Sequence, residues 1–472
     1  MEEFITISRK EYDDLKRENA ELKRENAELR AEIADLRVLV GQLKDTVALL
    51  KGGKNSRTSS TAPSHDIGRS NSKSLRESSG KKSGGQAGHA GHTLEMTDTP
   101  DETVDHLPDV CQCCGNGLSD VASVSFTHRQ VLDIPPVAPV YTEHRSHLKI
   151  CPFCKTENRG VFPASVAAPI QYGSRIEAMT GYLSVYQSLP YSRITHLFRD
   201  FFKINISEGS VDRFLDNLGN KATSAYDAIK ERIMSSNVVG ADETGCRVNG
   251  KKHWFHVWQT PCLTFIVAYF SRGHQVIKEF FNSDFSRSYY VSDCWSSQLK
   301  VNAKMHQLCF AHLFRELSNF VESLGSQWSA QMKALFKRAI ELKNVMTDND
   351  YLNPPQEVDR LNGELDELLK TDYSKFHTRE QAFVKRMLKN RHSIFTFLTH
   401  PLVPPDNNAS ERAIRNVKVK MKVSGQFRNS DGKGADRYAK IRSVIDTTIK
   451  NGQDVYTSLV CMANCKKMVV PE

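Results

Sequence analysis

Leucine recurs at every seventh residue, at Leu15, Leu22, Leu29, Leu36, Leu43 and Leu50. A strand repeats every two residues and cannot gather such a series, whereas a helix lines it up as one stripe. With the leucines at heptad position d, position a holds Tyr12, Asn19, Asn26, Ile33, Val40 and Val47. Leucine at d with β-branched residues at a favours two parallel strands, and buried asparagines at a fix their register. The residues flanking the seam pair Glu18 with Lys23, Glu25 with Arg30 and Glu32 with Arg37, opposite in sign as a parallel dimer requires. Residues 1–51 are therefore expected to form a parallel dimeric coiled coil that makes the protein a homodimer. The alternative is a lone charged helix supported by its own i,i+4 pairs.

After this helix the composition shifts to Gly, Ser, Lys and His, as in SSGKKSGGQAGHAGH. Such a segment cannot build a core, and residues 52–98 read as a flexible basic linker whose cations could follow a phosphate backbone. Over 472 residues the net charge is +9, with 39% hydrophobic and 25% charged residues, ordinary for a multidomain soluble protein. That charge points only weakly to a polyanionic partner. The start MEEFITISRK has no basic cap before an apolar core, and the run CLTFIVAYF is too short to span a bilayer. An odd count of 11 cysteines, most of them isolated, argues for a reducing compartment, hence a cytoplasmic protein.

Four of those cysteines have metal-ligand spacing. Cys111 and Cys114 form one CxxC, Cys151 and Cys154 another, and the stretch between them is β-rich. Each CxxC turns two thiolates toward one point, and two such knuckles make a closed tetrahedral Zn²⁺ site of structural type. Residues 99–165 are expected to be a small zinc-binding β module, with Cys113 as the spare thiol.

Residues 166–236 read as helical. Within them YSRITHLFRDFFKINISEGSVDRFLDNLG has a helix, turn, helix pattern with Ser207 as N-cap of the second helix. Both a DNA-reading helix-turn-helix and a plain helical hairpin fit this pattern. Strands follow. NVVGADETG is a short apolar strand ending in acid. KKHWFHVWQT and CLTFIVAYF form an antiparallel pair across a TPC turn, RSYYVSDCW is another apolar strand ending in acid, and HQLCF is a last short one. From residue 311 to about 400 the pattern is helical, and PPDNNASERAIRNVKVK then opens a basic helix near Asn407 or Asn408.

A buried aspartate at a strand end is costly unless a cation or metal pairs it. Asp242 and Asp293 each close an apolar strand, and Asp242 shares a strand face with Gly240 and Val238, opposite Glu243. Two strand-end aspartates with one acid from a later helix, Glu411, make an oxygen-rich site for two Mg²⁺ or Mn²⁺ ions. Such a pair activates water or a 3′-hydroxyl for in-line displacement at phosphorus. For Glu411 the competing reading is a capping box, Asn408-x-x-Glu411.

GADETG, SDCW, CFAHLFREL and PPDNNASERAIRNVKVK in this order resemble transposases of the bacterial insertion sequence 66 family. KKSGGQAGHAGHTL, the CxxC pairs, YQSLPYSRITHLF, ISEGSV and SGQFRNSDGKGADRYAKIRSVIDTTIKNG match as well. The resemblance implies a multidomain α+β chain with a ribonuclease-H-like α/β core, its first part at residues 237–318 and its last at 401–450. A helical insertion at 319–400 separates the two, and a tail follows at 451–472. It implies a catalytic Asp-Asp-Glu triad of Asp242, Asp293 and Glu411. It also implies double-stranded DNA as partner, both element ends and target, and small accessory proteins of the same element. Cys309 and His312 match a Cys-x-x-His element and are read as positioning the site. Arg412, Arg415, Lys418, Lys420 and Lys422 would neutralise phosphates. The chain departs from the family at Asp293-Cys294-Trp295, where Asp-Gly-Tyr is usual, at Phe314 before Arg315, and at Asn416, where proline is common. The implied activity is cleavage and transfer of DNA strands in a nucleoid-associated protein. The competing readings are a DNA-binding regulator with an inactive core and a related nuclease that does not join strands.

Overall fold

The computed structural model describes residues 8–51, 88, 93–135, 137–428 and 433–464, with the side chains of residues 41–51 left aside. The expected linker, residues 52–98, lies almost wholly outside them, as do residues 465–472.

Helix α1 runs Arg9–Lys51. It opens on a reciprocal capping box in which Ser8 N donates to Glu11 Oε2 (2.9 Å) and Glu11 N to Ser8 Oγ (3.3 Å). Leu15, Leu22, Leu29 and Leu36 all stay about half exposed, so the heptad stripe is apolar and uncovered within one chain. Farther on, β1 (Leu148–Ile150) pairs antiparallel with β2 (Glu157–Arg159) around the second CxxC.

Four helices follow: α2 (Ser174–Gly181), which widens into a π-helical turn at Tyr182–Tyr186, α3 (Tyr191–Phe202), α4 (Glu208–Lys221) and α5 (Thr223–Met234). Ser207 caps α4 as expected, accepting from Ser210 N at 3.1 Å. Strands β3 (Val238–Val248), β4 (Lys251–Gln259) and β5 (Thr264–Tyr269) form an antiparallel meander. Its first turn is Asn249-Gly250, both at positive φ, the pair that matches the strand twist in a two-residue hairpin. After α6 (Gln275–Phe281), β6 (Asp284–Ser292) and β7 (Asn302–Leu308) add in parallel, giving the order β5-β4-β3-β6-β7. Five helices come next: α7 (Phe310–Leu324), α8 (Gln327–Val345), α9 (Asp348–Leu352), α10 (Gln356–Lys370) and α11 (Thr378–Lys389). The chain then returns to the sheet as α12 (Asn408–Ser424), α13 (Gly434–Lys450) and α14 (Val455–Asn464).

Two hydrophobic cores result, and strand alternation assigns β6 to both. Tyr290 packs into the first core with β3–β5, α2–α5 and α12–α14, while its neighbours Tyr289 and Val291 pack into the second with α7, α8, α10 and α11. The helical stretch 166–236 thus shares its core with the sheet. The plain-hairpin reading describes its packing: α4 buries Val211, Leu215 and Leu218 against α2 and α13. Within the expected tail, 451–472, α14 buries Leu459 and Met462 against α2. Among the described residues no helix is long and apolar enough to cross a membrane.

Candidate active site

Parallel pairing of Val238–Gly240 with Tyr289–Val291 sets the register of β3 on β6. Two residues further along lie Asp242, inside β3, and Asp293, just past the end of β6, so the two carboxylates arise at the same level of neighbouring parallel segments. The expectation that the first strand stops at its acid is wrong, because pairing with β4 carries β3 through Asp242 and Glu243 to Val248. Each aspartate accepts one backbone hydrogen bond, Asp242 Oδ1 from Glu243 N (2.8 Å) and Asp293 Oδ1 from Trp295 N (2.9 Å). Among the described residues neither has an ion-pair partner. Burial, then the negative charges of Glu243, Asp293 and Glu411, pushes the Asp242 carboxyl well above the usual carboxylate range.

Helix α12 brings Glu411 to this pair because Gly240 leaves room for its first turn. A Cβ on Gly240 would stand 2.6 Å from Gln259 Nε2, 2.7 Å from Asn407 Oδ1 and 2.8 Å from Ser410 Oγ. In that space Asn407 Nδ2 donates to the Ala241 carbonyl (2.6 Å), and Ser410 Oγ donates to Asn407 Oδ1 (2.6 Å). Asn407 N donates to the buried Cys309 Sγ at 3.2 Å, which ties the start of α12 to that of α7. The expected Asn408-x-x-Glu411 capping box does not form, since Asp406 Oδ1 takes the Asn408 N–H (3.0 Å).

Glu411 points instead at α7. Arg315 donates to its two oxygens at 3.0 and 2.9 Å, and His312 Nδ1 lies 3.5 Å from Oε1. Burial raises the proton affinity of Glu411, but the hydrogen bonds and charge of Arg315, with His312 and Lys418, outweigh it and hold the carboxyl below its ordinary value. Burial lowers the basicity of His312, against the pull of Glu411 and Asp293. The Nδ1 of His312 is buried without a hydrogen-bond partner. Among the described residues, Cys309, His312 and Glu411 form the one group of three metal-ligating side chains with donor atoms within 4.8 Å of one another. The oxygen donors of Asp242 and Asp293, lacking any cation, suit a hard divalent ion such as Mg²⁺.

The two cysteine knuckles share one backbone form. Cys111 N donates to Asn116 O (2.8 Å) and Gly115 N to Cys111 O (2.9 Å), while Cys151 N donates to Thr156 O (2.9 Å) and Lys155 N to Cys151 O (2.9 Å). Gly115 and Lys155 take the same positive-φ position. Hydrogen bonds from the Cys114 and Cys113 backbone lower the Cys111 thiol, and those from Thr156 bring Cys154 down to about 7. Thiolate character of this kind suits Zn²⁺. Each knuckle is formed, yet the four thiols are not drawn into one cluster in this structure.

A family model described as Transposase IS66 family matches residues 169–435, more than half of the 472-residue chain. The chain belongs to the IS66 transposase family. A second model, the zinc-finger binding domain of transposase IS66, matches residues 108–155 and so contains Cys111, Cys114, Cys151 and Cys154. No curated protein matches the chain. In this IS66 transposase the larger match runs from just before α2 to the start of α13 and includes Asp242, Asp293, Glu411, Cys309 and His312.

The basic face of α12 needs one correction. Arg412, Arg415, Lys418 and Lys422 are exposed, but Lys420 is buried, donating to the carbonyls of Ser184 and Leu189 at 3.2 Å each. Burial brings its ammonium down to about 8. Lys420 is an anchor of α12 on the π-helical turn, closed to a phosphate. Sequence reading also missed the roles of Arg315, which sits one turn after His312, and of Arg272, which pairs with buried Glu243 from a loop. Helical spacing could have found Arg315. No periodicity points to Arg272.

Proposed function

We propose that the chain binds the terminal inverted repeats of a bacterial insertion sequence and cuts and joins DNA strands at a ribonuclease-H-like core. The supporting features of the core are three antiparallel strands followed by two parallel ones, with one acid inside the first strand and one just past the end of the fourth. The observation that carries the reading is that Asp242 and Asp293 arise at one level of neighbouring strands with no cationic side-chain partner among the described residues, and that burial, then the charges of Glu243 and Asp293, raise the proton affinity of Asp242. Two Mg²⁺ or Mn²⁺ ions held there by Asp242, Asp293 and Glu411 would supply an activated water or 3′-hydroxyl and neutralise the leaving oxygen. Bound divalent ions would favour the ionised form of Asp242, offsetting the burial that disfavours it. Arg315 and His312 hold Glu411 ionised and beside the pair, and Cys309 fixes the turn that carries it. Exposed Arg412, Arg415, Lys418 and Lys422 draw the DNA backbone across the site.

The two CxxC knuckles would close on one structural Zn²⁺, and this module with the basic linker would hold the element ends. The uncovered leucine stripe of α1 would pair two chains in parallel, so that one assembly grips two ends.

The test is cleavage and joining of DNA carrying the element's ends, in Mg²⁺. The expected result is nicking and strand transfer by the native chain. Asp242→Asn, Asp293→Asn and Glu411→Gln each lose both steps by at least about a thousandfold while still binding the ends. End binding without nicking by the native chain would sink the reading in favour of a regulator. Nicking without joining of pre-cut ends would make it a nuclease.

A further inference from the structure

Glu243, next to the first acid, faces the other side of β3 and ends a buried polar chain. Trp258 Nε1 donates to Tyr290 Oη (3.0 Å), Tyr290 to Gln298 Oε1 (2.7 Å), and Gln298 Nε2 to Glu243 Oε2 (2.8 Å). The other oxygen, Oε1, takes both Nε and Nη2 of Arg272, at 2.8 and 2.7 Å. The Glu243 side chain is 1% exposed and that of Arg272 34%, so the chain starts in the core and surfaces at a guanidinium. Burying a carboxylate is costly, and here it fixes one arginine against Trp295, two residues after Asp293.

Arg272 is set among aromatic rings. Its guanidinium carbon lies 3.9 Å from the Trp295 ring centre and 5.0 Å from that of Trp254, and Lys252 Nζ is 5.1 Å from Trp254. Trp295 is 37% exposed, and its backbone N–H is the donor to Asp293 Oδ1. Arg272 Nη1 has no hydrogen-bond partner among the described residues and is not buried. A cation with a free donor beside an exposed indole matches single-stranded nucleic acid, since phosphate takes the donor and a base stacks on the ring.

We propose that Arg272 and Trp295 grip the strand flanking the scissile phosphate, Arg272 through Nη1 on a phosphate oxygen and Trp295 by stacking on an unpaired base. This rests on the proposed DNA-cutting role of the acids. Glu243 is then a positioning residue for Arg272. The occupant is a strand with an unstacked base, because a paired duplex presents no free base face to the indole.

The experiment uses the full chain with end-containing DNA that carries 2-aminopurine at successive positions around the cut, in Ca²⁺ to hold back reaction. One position should change fluorescence on binding. Trp295→Ala should abolish that change and Trp295→Phe should keep part of it. Arg272→Lys should weaken binding at least about fivefold, and Glu243→Gln should have a smaller effect in the same direction. Unchanged fluorescence in Trp295→Ala together with unchanged affinity in Arg272→Lys overturns the grip, even if the DNA is cut. A base-specific signal in a chain that never nicks DNA supports the grip and sinks only the catalytic reading.

Discussion

The Arg315–Glu411 pair sets a stability term that can be measured without any DNA. Both side chains are about four-fifths buried, and two charge-assisted hydrogen bonds join them in parallel. At an effective dielectric near 20 and a charge separation of about 4 Å, their attraction is about 4 kcal/mol, and desolvation of the two ions takes back part of it. The remainder should appear as a coupling of about 2 kcal/mol in a double-mutant cycle of Arg315→Met and Glu411→Gln. Arg315→Met alone should cost more than the double variant, since it leaves a largely buried carboxylate without its partner. Pulse proteolysis in urea reads the core directly. The folded-state proton affinity of Glu411 is depressed, so the coupling should be fully present at pH 7. It should fade only as pH falls below the ordinary carboxylate range, through the lowered Glu411 value. A coupling under about 0.5 kcal/mol at pH 7, the size seen for exposed pairs, would refute the reasoning.

Gly240→Ala should lower stability by about 2–4 kcal/mol, because the new methyl must displace Asn407 and Ser410 and break the bond to Ala241. Urea unfolding checks this, with Gly245→Ala as a control whose Cβ meets only Trp254 at 3.8 Å or more. Metal analysis should find about one Zn²⁺ per chain, lost in Cys151→Ser and Cys154→Ser. Removing Lys422 should reduce the salt slope of DNA binding by about 0.9. Lys420→Met should leave that slope unchanged and instead loosen α12, visible as faster amide exchange in its last turns.

Much of the site is legible in the residues because its parts are local. An apolar run that stops at an acid reads as a strand end, which fits Asp293 after β6 but not Asp242, since pairing with β4 carries β3 on to Val248; alternation separates Asp242 from Glu243. The register of β3 on β4 and β6 bears out that separation, with Glu243 facing Gln298 and Arg272. The capping box at Asn408 fails for a tertiary reason. The space over Gly240 and the carbonyl of Ala241 claim Asn407, and Glu411 goes to Arg315. Lys420 was misread although a signal existed: it follows Ala413 and Val417 at helical spacing, on the stripe that α12 buries. Arg272 had no such signal, since its partner is 29 residues away and its position depends on a loop. The stretch between the knuckles, expected to be β-rich, carries no strand among its described residues until β1 at Leu148; without regular structure there, pattern gives no distance for pairing the two knuckles.

Asn407 holds the third acid to a strand laid down 166 residues earlier in the chain. Two acids therefore belong to the sheet segment, and the third is supplied by a segment far along the chain. Closure of long loops is slow, and contacts of this span form late. The same return of the chain brings α13 onto β5 and α4, and α14 onto α2, so the first core and the placing of Glu411 draw on the same late segments. A partly folded chain consequently has neither a finished core nor a finished acid cluster. Placing Glu411 thus draws on the same chain segments that complete the first core, which ties the geometry of this site to the integrity of that core.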